Sequence, residues 1–383
     1  MTRASAGHLH RQLVSVTLAI VALTVLTHGW HIPVQAGAEA PDWEPTPLTE
    51  DVLRIFVQDD GVLFAHLLKR SEDGIELLRS QDGGTTWHDI ALPPNVTRIT
   101  GGRPRQVAVS AVLAGQMFVD GQHGLYRSSD AGTTWTLLQL AAGHGSWVES
   151  LAISTADPSL IYAWVTSRER SSEGLTLLRS HDQGATWAVV RHESRQMGCT
   201  YGVPFFWLHP TDIHRAYAQF GCYGISSKIG SLLHSTDGGV TWTQVTPTTA
   251  PVMGGPRRLI GGQGVHPERF YLATETSTGP SGQYVFRSDT GVGDWSPIFH
   301  LPGVSPSALA YDPQNPNHVY LGVSTHQELA APSAVWESTD GGASWVPFGR
   351  QDIGSVHDLS FSSDGGLLYA ATNLGVFRMR LTR

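Results

Sequence analysis

The pattern Ser-x-Asp-x-Gly-x-Thr-Trp recurs along this 383-residue chain and constrains its fold more than any other feature. Clean copies start at Ser80, Ser128, Ser180 and Ser235. A fifth at Ser338 has Ser344 in place of Thr. A sixth keeps Ser288 and Trp295 but carries Thr290 and Val292 where the others have Asp and Gly. From start to start the spacings are 48, 52, 55, 53 and 50 residues. A period of about 50 residues with strand-like flanks predicts a β-propeller, one blade per repeat.

Each box lies between apolar runs, as Leu77-Leu78 before the first and Ile90 after it, which predicts a hairpin with the box as its turn. The carboxylates of Asp82, Asp130, Asp182, Asp237 and Asp340 are expected to accept backbone N–H groups two residues on. Gly84, Gly132, Gly184, Gly239 and Gly342 supply a positive φ. The Trp is expected to bury its ring against the next sheet. These residues are therefore read as structural. Calcium needs several carboxylates in one loop, and each turn offers a single Asp, so neither a metal site nor a cofactor is expected.

Between boxes one order repeats: strand, Asp-Pro-like turn, strand, loop, strand. Asp312-Pro313 is the clearest turn, and Asp157-Pro158, His209-Pro210 and His266-Pro267 read as the same turn. After the last box three strands remain, 356–361, 367–372 and 375–380. Asp42-Trp43-Glu44-Pro45 resembles Asp294-Trp295-Ser296-Pro297, where a fourth strand begins. The expected fold is all-β: a seven-bladed propeller of four-stranded antiparallel blades, closed by an N-terminal strand. Six blades is the alternative.

Residues 1–40 read as a signal peptide, with basic Arg3 and Arg11, an apolar run from Leu13 to Leu26 and small residues at Ala36, Gly37 and Ala38. An uncleaved anchor is the alternative. Residues 41–383 read as one propeller domain, exported, monomeric and not inserted in a membrane after cleavage. The net charge of −8 and the lack of a basic block argue against a nucleic-acid partner. Cys199 and Cys222 face each other in a hairpin centred on His209–Asp212, so a disulfide is expected in an oxidising compartment.

The box resembles the Asp-box, or bacterial neuraminidase, repeat. That repeat occurs in sialidases, two-propeller xyloglucanases, sortilin-type receptors and photosystem II stability and assembly factors. The resemblance implies the propeller and leaves the activity open.

Strand order puts the boxes on one face and the inner-strand entrances on the other. Arg103, Arg105, Trp147, Arg257, Arg258 and His357 fall at or near those entrances and are the candidate binding residues for a protein or glycan. For an enzyme, the sialidase resemblance implies an Arg cluster, an acid/base Asp and a Tyr activated by a Glu. Arg54, Glu149, Tyr201 and Arg258 are the residues that fit those roles. Leu53-Arg54-Ile55-Phe56 keeps the Arg and Ile of that family's Arg-Ile-Pro motif and lacks its Pro. Hydrolysis of another glycan would fall to a carboxylate pair, Glu149 and Asp358. No matched acid and base is evident from spacing, so the expectation is a non-catalytic exported platform similar to the photosystem assembly factors, with a glycoside hydrolase as the alternative.

Overall fold

The computed structural model describes residues 42–381 apart from 70–73, 94–95, 97–105, 122–123, 141–146, 167–173, 195–199, 202–204, 224–229, 246–255, 262–267, 276–282, 301–303, 326–333 and 350–352. These residues form seven antiparallel sheets of the propeller type. Blade 1 runs through Val52–Val57, Leu63–Lys69, Gly74–Ser80 and His88–Asp89. Blades 2 to 6 repeat that order, with first strands at Val107–Val109, Trp147–Ile153, Phe205–Leu208, Pro256–Gly261 and Val304–Asp312. Blade 4 has an additional short strand, Thr200–Tyr201, ahead of Phe205–Leu208. Blade 7 takes Val356–Phe361, Leu367–Thr372 and Gly375–Arg380 from the end of the chain and its fourth strand, Glu44–Pro45, from the beginning. The expected N-terminal closure is therefore present, and Trp43 packs edge-on to Phe348 of blade 6, ring centroids 6.2 Å apart. Among the described residues no helix is long and apolar enough to cross a membrane.

The core is divided among the joints between blades. Each hydrophobic cluster is shared by two neighbours, as Tyr369 with Ile55, Phe64 with Val107, Phe118 with Ile161 and Tyr320 with Leu359. One repeated residue type in this core went unread in the sequence. Every blade has a buried aromatic on its second strand: Phe64, Phe118, Tyr162, Tyr217, Tyr271, Tyr320 and Tyr369. Each such ring contributes roughly 1.5–3 kcal/mol through burial.

The boxes are hairpin turns, and their bonding differs in detail from expectation. Asp82 Oδ1 accepts N–H groups three and four residues on, from Thr85 at 3.0 Å and Thr86 at 2.8 Å, and Oδ2 accepts the Thr86 hydroxyl. The two-residue contact falls to serine, since Ser80 Oγ accepts the Asp82 N–H at 3.4 Å as well as the Gly84 N–H at 2.9 Å. The same pattern recurs around Asp130, Asp182, Asp237 and Asp340. Two consecutive residues, not one, have positive φ: Gly83–Gly84, Ala131–Gly132, Gln183–Gly184, Gly238–Gly239 and Gly341–Gly342. Of the box tryptophans only Trp295 and Trp345 are buried; Trp87, Trp135, Trp187 and Trp242 are half-buried and pack in the joint with the preceding blade, not the next. The irregular sixth box recovers a carboxylate from Asp294, which takes the hydroxyls of Ser288 and Thr290.

The box and the first turn of each blade share one face, tied by backbone bonds such as Gln183 N to Ser159 O and Gly238 N to His214 O. Chain counting misplaced that turn in blade 4. It closes at Leu208 against Ala216, so it runs on to Arg215, and the register sets Tyr201, not Cys199, opposite Cys222. Cys199 lies outside the described residues.

Candidate functional site

First strands contact the first strands of neighbouring blades and so surround the axis of the ring. They share a local irregularity. In five of them two residues oppose one on the second strand, and the extra residue is Leu53, Glu149, Arg257, Ser307 or His357. In blade 4 the inner side gains one residue over its partner between Tyr201 and Phe205. A bulge bends the strand and re-aims a side chain. Here it does so at the same depth around the ring, at the end away from the boxes.

Two of the bulged residues, Ser307 and His357, reach the neighbouring blade. Ser307 Oγ donates to the Val356 carbonyl. His357 Nδ1 lies 3.0 Å from the Val52 carbonyl oxygen, which fixes the proton on that nitrogen, and 3.4 Å from Asp51 Oδ1. Directly after His357, Asp358 is 6% exposed. Its Oδ2 accepts the Ile55 N–H at 3.3 Å and lies 4.0 Å from Arg54 Nε. The guanidinium sits 5.1 Å above the Phe56 ring, and the Arg54 side chain is 46% exposed. Across the sheet from Arg54 lies His66. It is buried, neither ring nitrogen has a partner, and burial, helped by Arg54, pushes its pKa down to about 3. The imidazole therefore stays neutral and adds no second cation. In blade 3, Glu149 is half-buried and accepts the Thr166 hydroxyl at 3.1 Å.

The sequence candidates separate accordingly. Arg54, Asp358 and His357 come together at the joint of blades 7 and 1. Glu149 and Trp147 start the inner strand of blade 3. Arg257 and Arg258 occupy the bulge of blade 5, and Tyr201 pairs with Cys222 in blade 4. Arg103 and Arg105 lie outside the described residues, as does most of the loops Thr166–Gly174, Gly221–Ser231, Glu275–Gly282 and Thr325–Ser333. Sequence reasoning missed Asp51 and His66. Their types are unremarkable, and only register brings them to Arg54 and His357. The other end of the channel holds a cavity of about 320 Å³ among blades 1, 2, 6 and 7, walled by Val57, Leu309, Tyr311 and Leu359. Asp59 is the one carboxylate among its described lining residues, so a carboxylate pair is not built there. No group of His, Cys, Asp or Glu among the described residues is arranged to hold a metal.

No family model matches the chain. A xyloglucanase of Acetivibrio thermocellus is 29% identical over 275 residues, 63% of this chain and 30% of that protein. The chain thus spans less than a third of that relative's length. The fold matches a solved xyloglucanase from Xanthomonas campestris with a TM-score of 0.62, 19% identity, and coverage of 89% of this chain and 53% of that one. It also matches YCF48 from Cyanidioschyzon merolae, with a TM-score of 0.52, 15% identity, and coverage of 89% and 98%. The structural matches bear on fold alone. The sequence match corrects the expectation of a non-catalytic platform, because the relative is named for a glycan-cleaving activity. That expectation rested on finding no adjacent acid and base along the chain. In a ring, two carboxylates can face one bond from different blades, and counting residues does not reveal it.

Proposed function

We propose that the chain is an exported glycoside hydrolase that cleaves a β-linked glucan of the xyloglucan type at the bulged mouth of its channel. The observation that carries this reading is the shared register break. It turns Glu149 and His357 out of the regular pleat and sets Asp358 beside Arg54 at the same level. The similarity to a xyloglucanase supplies the substrate class. Asp358, held by a backbone N–H and a guanidinium, suits the base or nucleophile. Glu149, on a half-exposed site, suits the acid that protonates the leaving oxygen. Trp147 offers a ring face to a sugar, and Arg54 and His357 orient hydroxyls. We read the boxes as Asp-box repeats on the strength of their recurring Ser–Asp–Thr bonds, residues 1–40 as the export signal, and the partner as a glycan met by a monomer.

The test is turnover by the purified chain alone. Xyloglucan oligosaccharides should yield new reducing ends, and Glu149→Gln should lower kcat by about 100-fold or more with the fold retained. No release from xyloglucan, or release unchanged in Glu149→Gln, overturns the reading.

A further inference from the structure

The seven joints are not built alike. The residue just before each box serine lies opposite the buried aromatic of the second strand, as Arg179 opposite Tyr162 and Arg287 opposite Tyr271. In three joints this residue is an Arg that reaches forward to a carbonyl in the next blade's box, and in blade 7, which has no box, Arg378 does the same from its place opposite Tyr369. Arg127 donates to Gln183 O, Arg179 to Gly238 O, Arg287 to Gly341 O and Arg378 to Gly83 O. Tyr162 and Tyr271 add their hydroxyls to the same carbonyls as their arginines, at 2.6 Å and 2.8 Å.

Between blades 4 and 5 this bridge is missing. His234 stands in the arginine position, opposite Tyr217. The box it faces is the irregular one, a residue tighter, with Gly291 N on Ser288 Oγ three residues back where other boxes span four. Tyr217 Oη and His234 Nε2 are buried without a hydrogen-bond partner, and the two rings stack at 4.5 Å. A second histidine adjoins them: His209 and Tyr217 both pack edge-on against Trp207. His209 Nδ1 accepts the N–H groups of Thr211 at 3.2 Å and Asp212 at 3.0 Å. In blades 2 and 3 a serine does this work, Ser110 Oγ for Leu113 N and Ser154 Oγ for Asp157 N. His209 therefore corresponds to Ser154, and Asp212 to Asp157, which revises the reading of His209-Pro210 as an Asp-Pro turn.

We propose that the joint between blades 4 and 5 is an acid-labile seam, which opens locally when His209 and His234 take up protons while the rest of the ring stays closed. A proton on His209 can only go to Nδ1, where it would meet two N–H groups that now donate to that atom. A proton on His234 would place a charge beside Tyr217 on a buried ring whose Nε2 has no hydrogen-bond partner. The charged groups facing both rings are Arg215, which opposes protonation, and Glu268, which favours it; Asp212 favours it at His209. Arg215 and Glu268 are paired with each other, so burial dominates, and both histidines titrate below their ordinary range. A lowered folded-state pKa means that the neutral form stabilises the seam above about pH 6.5. That contribution is lost as pH falls below it.

Hydrogen exchange followed by mass spectrometry, corrected for the intrinsic pH effect, reads this directly. Between pH 7.5 and pH 5 the strands Phe205–Leu208, Ala216–Tyr223 and Gln283–Ser288 should lose protection by at least about tenfold. Gly124–Ser128 and Gly174–Ser180, at the Arg127 joint, should keep theirs. His209→Ser, which installs the residue used in blades 2 and 3, and His234→Gln should each restore part of the protection at pH 5. Equal loss in both regions, no loss at all, or loss unchanged in both variants overturns the proposal.

Discussion

Arg378 of the last blade donates from Nη1 to the carbonyl oxygen of Gly83 in the first, at 3.0 Å, while its Nε lies 3.2 Å from Glu44 Oε2 on the closing strand. One side chain thus joins the C-terminal blade, the N-terminal strand and the first box. Arg378→Met keeps the aliphatic stem and removes these bonds. It should lower stability by about 1–2 kcal/mol, since Glu44 is largely exposed and adds little. A urea midpoint that does not move would show that the bridge is not needed to close the ring.

Ala131 and Gln183 sit at φ of 57° and 60°, where the other clean boxes place a glycine. Left-handed backbone disfavours any residue with a Cβ, and glycine gives back part of the gain through its freer unfolded state. Ala131→Gly and Gln183→Gly should each stabilise by up to about 1 kcal/mol. The converse, Gly83→Ala, has room, because the added Cβ would meet Tyr369 Oη at 3.4 Å. Its loss of stability therefore isolates the backbone effect. Denaturant midpoints that fail to move in opposite directions would contradict this account.

The box carboxylates should govern acid stability. In Asp82, Asp130, Asp182 and Asp237 the Thr hydroxyl, then the Thr N–H, holds the carboxyl at about 2, below its ordinary 3.8. A depressed folded-state value stabilises above about pH 4 and is lost as pH falls toward 2. Replacing Thr86, Thr134, Thr186 and Thr241 together by Val should shift the acid midpoint upward. The same acid profile in both proteins would remove the carboxylates as its cause.

The box and its period made the ring legible from sequence, and the likeness of Trp43 to Trp295 made the closure legible as well. Both are local patterns repeated often enough to stand out. The bulges were not legible, because an extra residue in a strand leaves no mark unless the partner strand is known. The pairing of Arg54 with Asp358 spans nearly the whole chain and exists only once blades 7 and 1 meet. Three of the bridging arginines, Arg127, Arg179 and Arg287, were visible one residue before a box serine. Their meaning was hidden because their acceptors belong to the following blade. The expectation of a non-catalytic platform has the same origin: an acid and a base carried on different blades cannot be paired by reading along one of them.

Asp358 offers the sharpest separation of structure from chemistry. Its Oδ2 accepts the buried Ile55 N–H, so Asp358→Ala leaves that donor unpaired and should cost about 1–3 kcal/mol. Asp358→Asn keeps a carbonyl oxygen at the same place and removes the charge. If Asp358 serves only to tie blade 7 to blade 1, the Asn variant should melt and turn over like the parent. If it is the base or nucleophile, the Asn variant should keep its melting temperature and lose turnover of xyloglucan by about 100-fold or more, because an amide neither takes up a proton nor attacks the anomeric carbon. The Ala variant should lose both. Full activity in the Asn variant would remove Asp358 from the proposed chemistry and leave Arg54 without a catalytic partner at this joint.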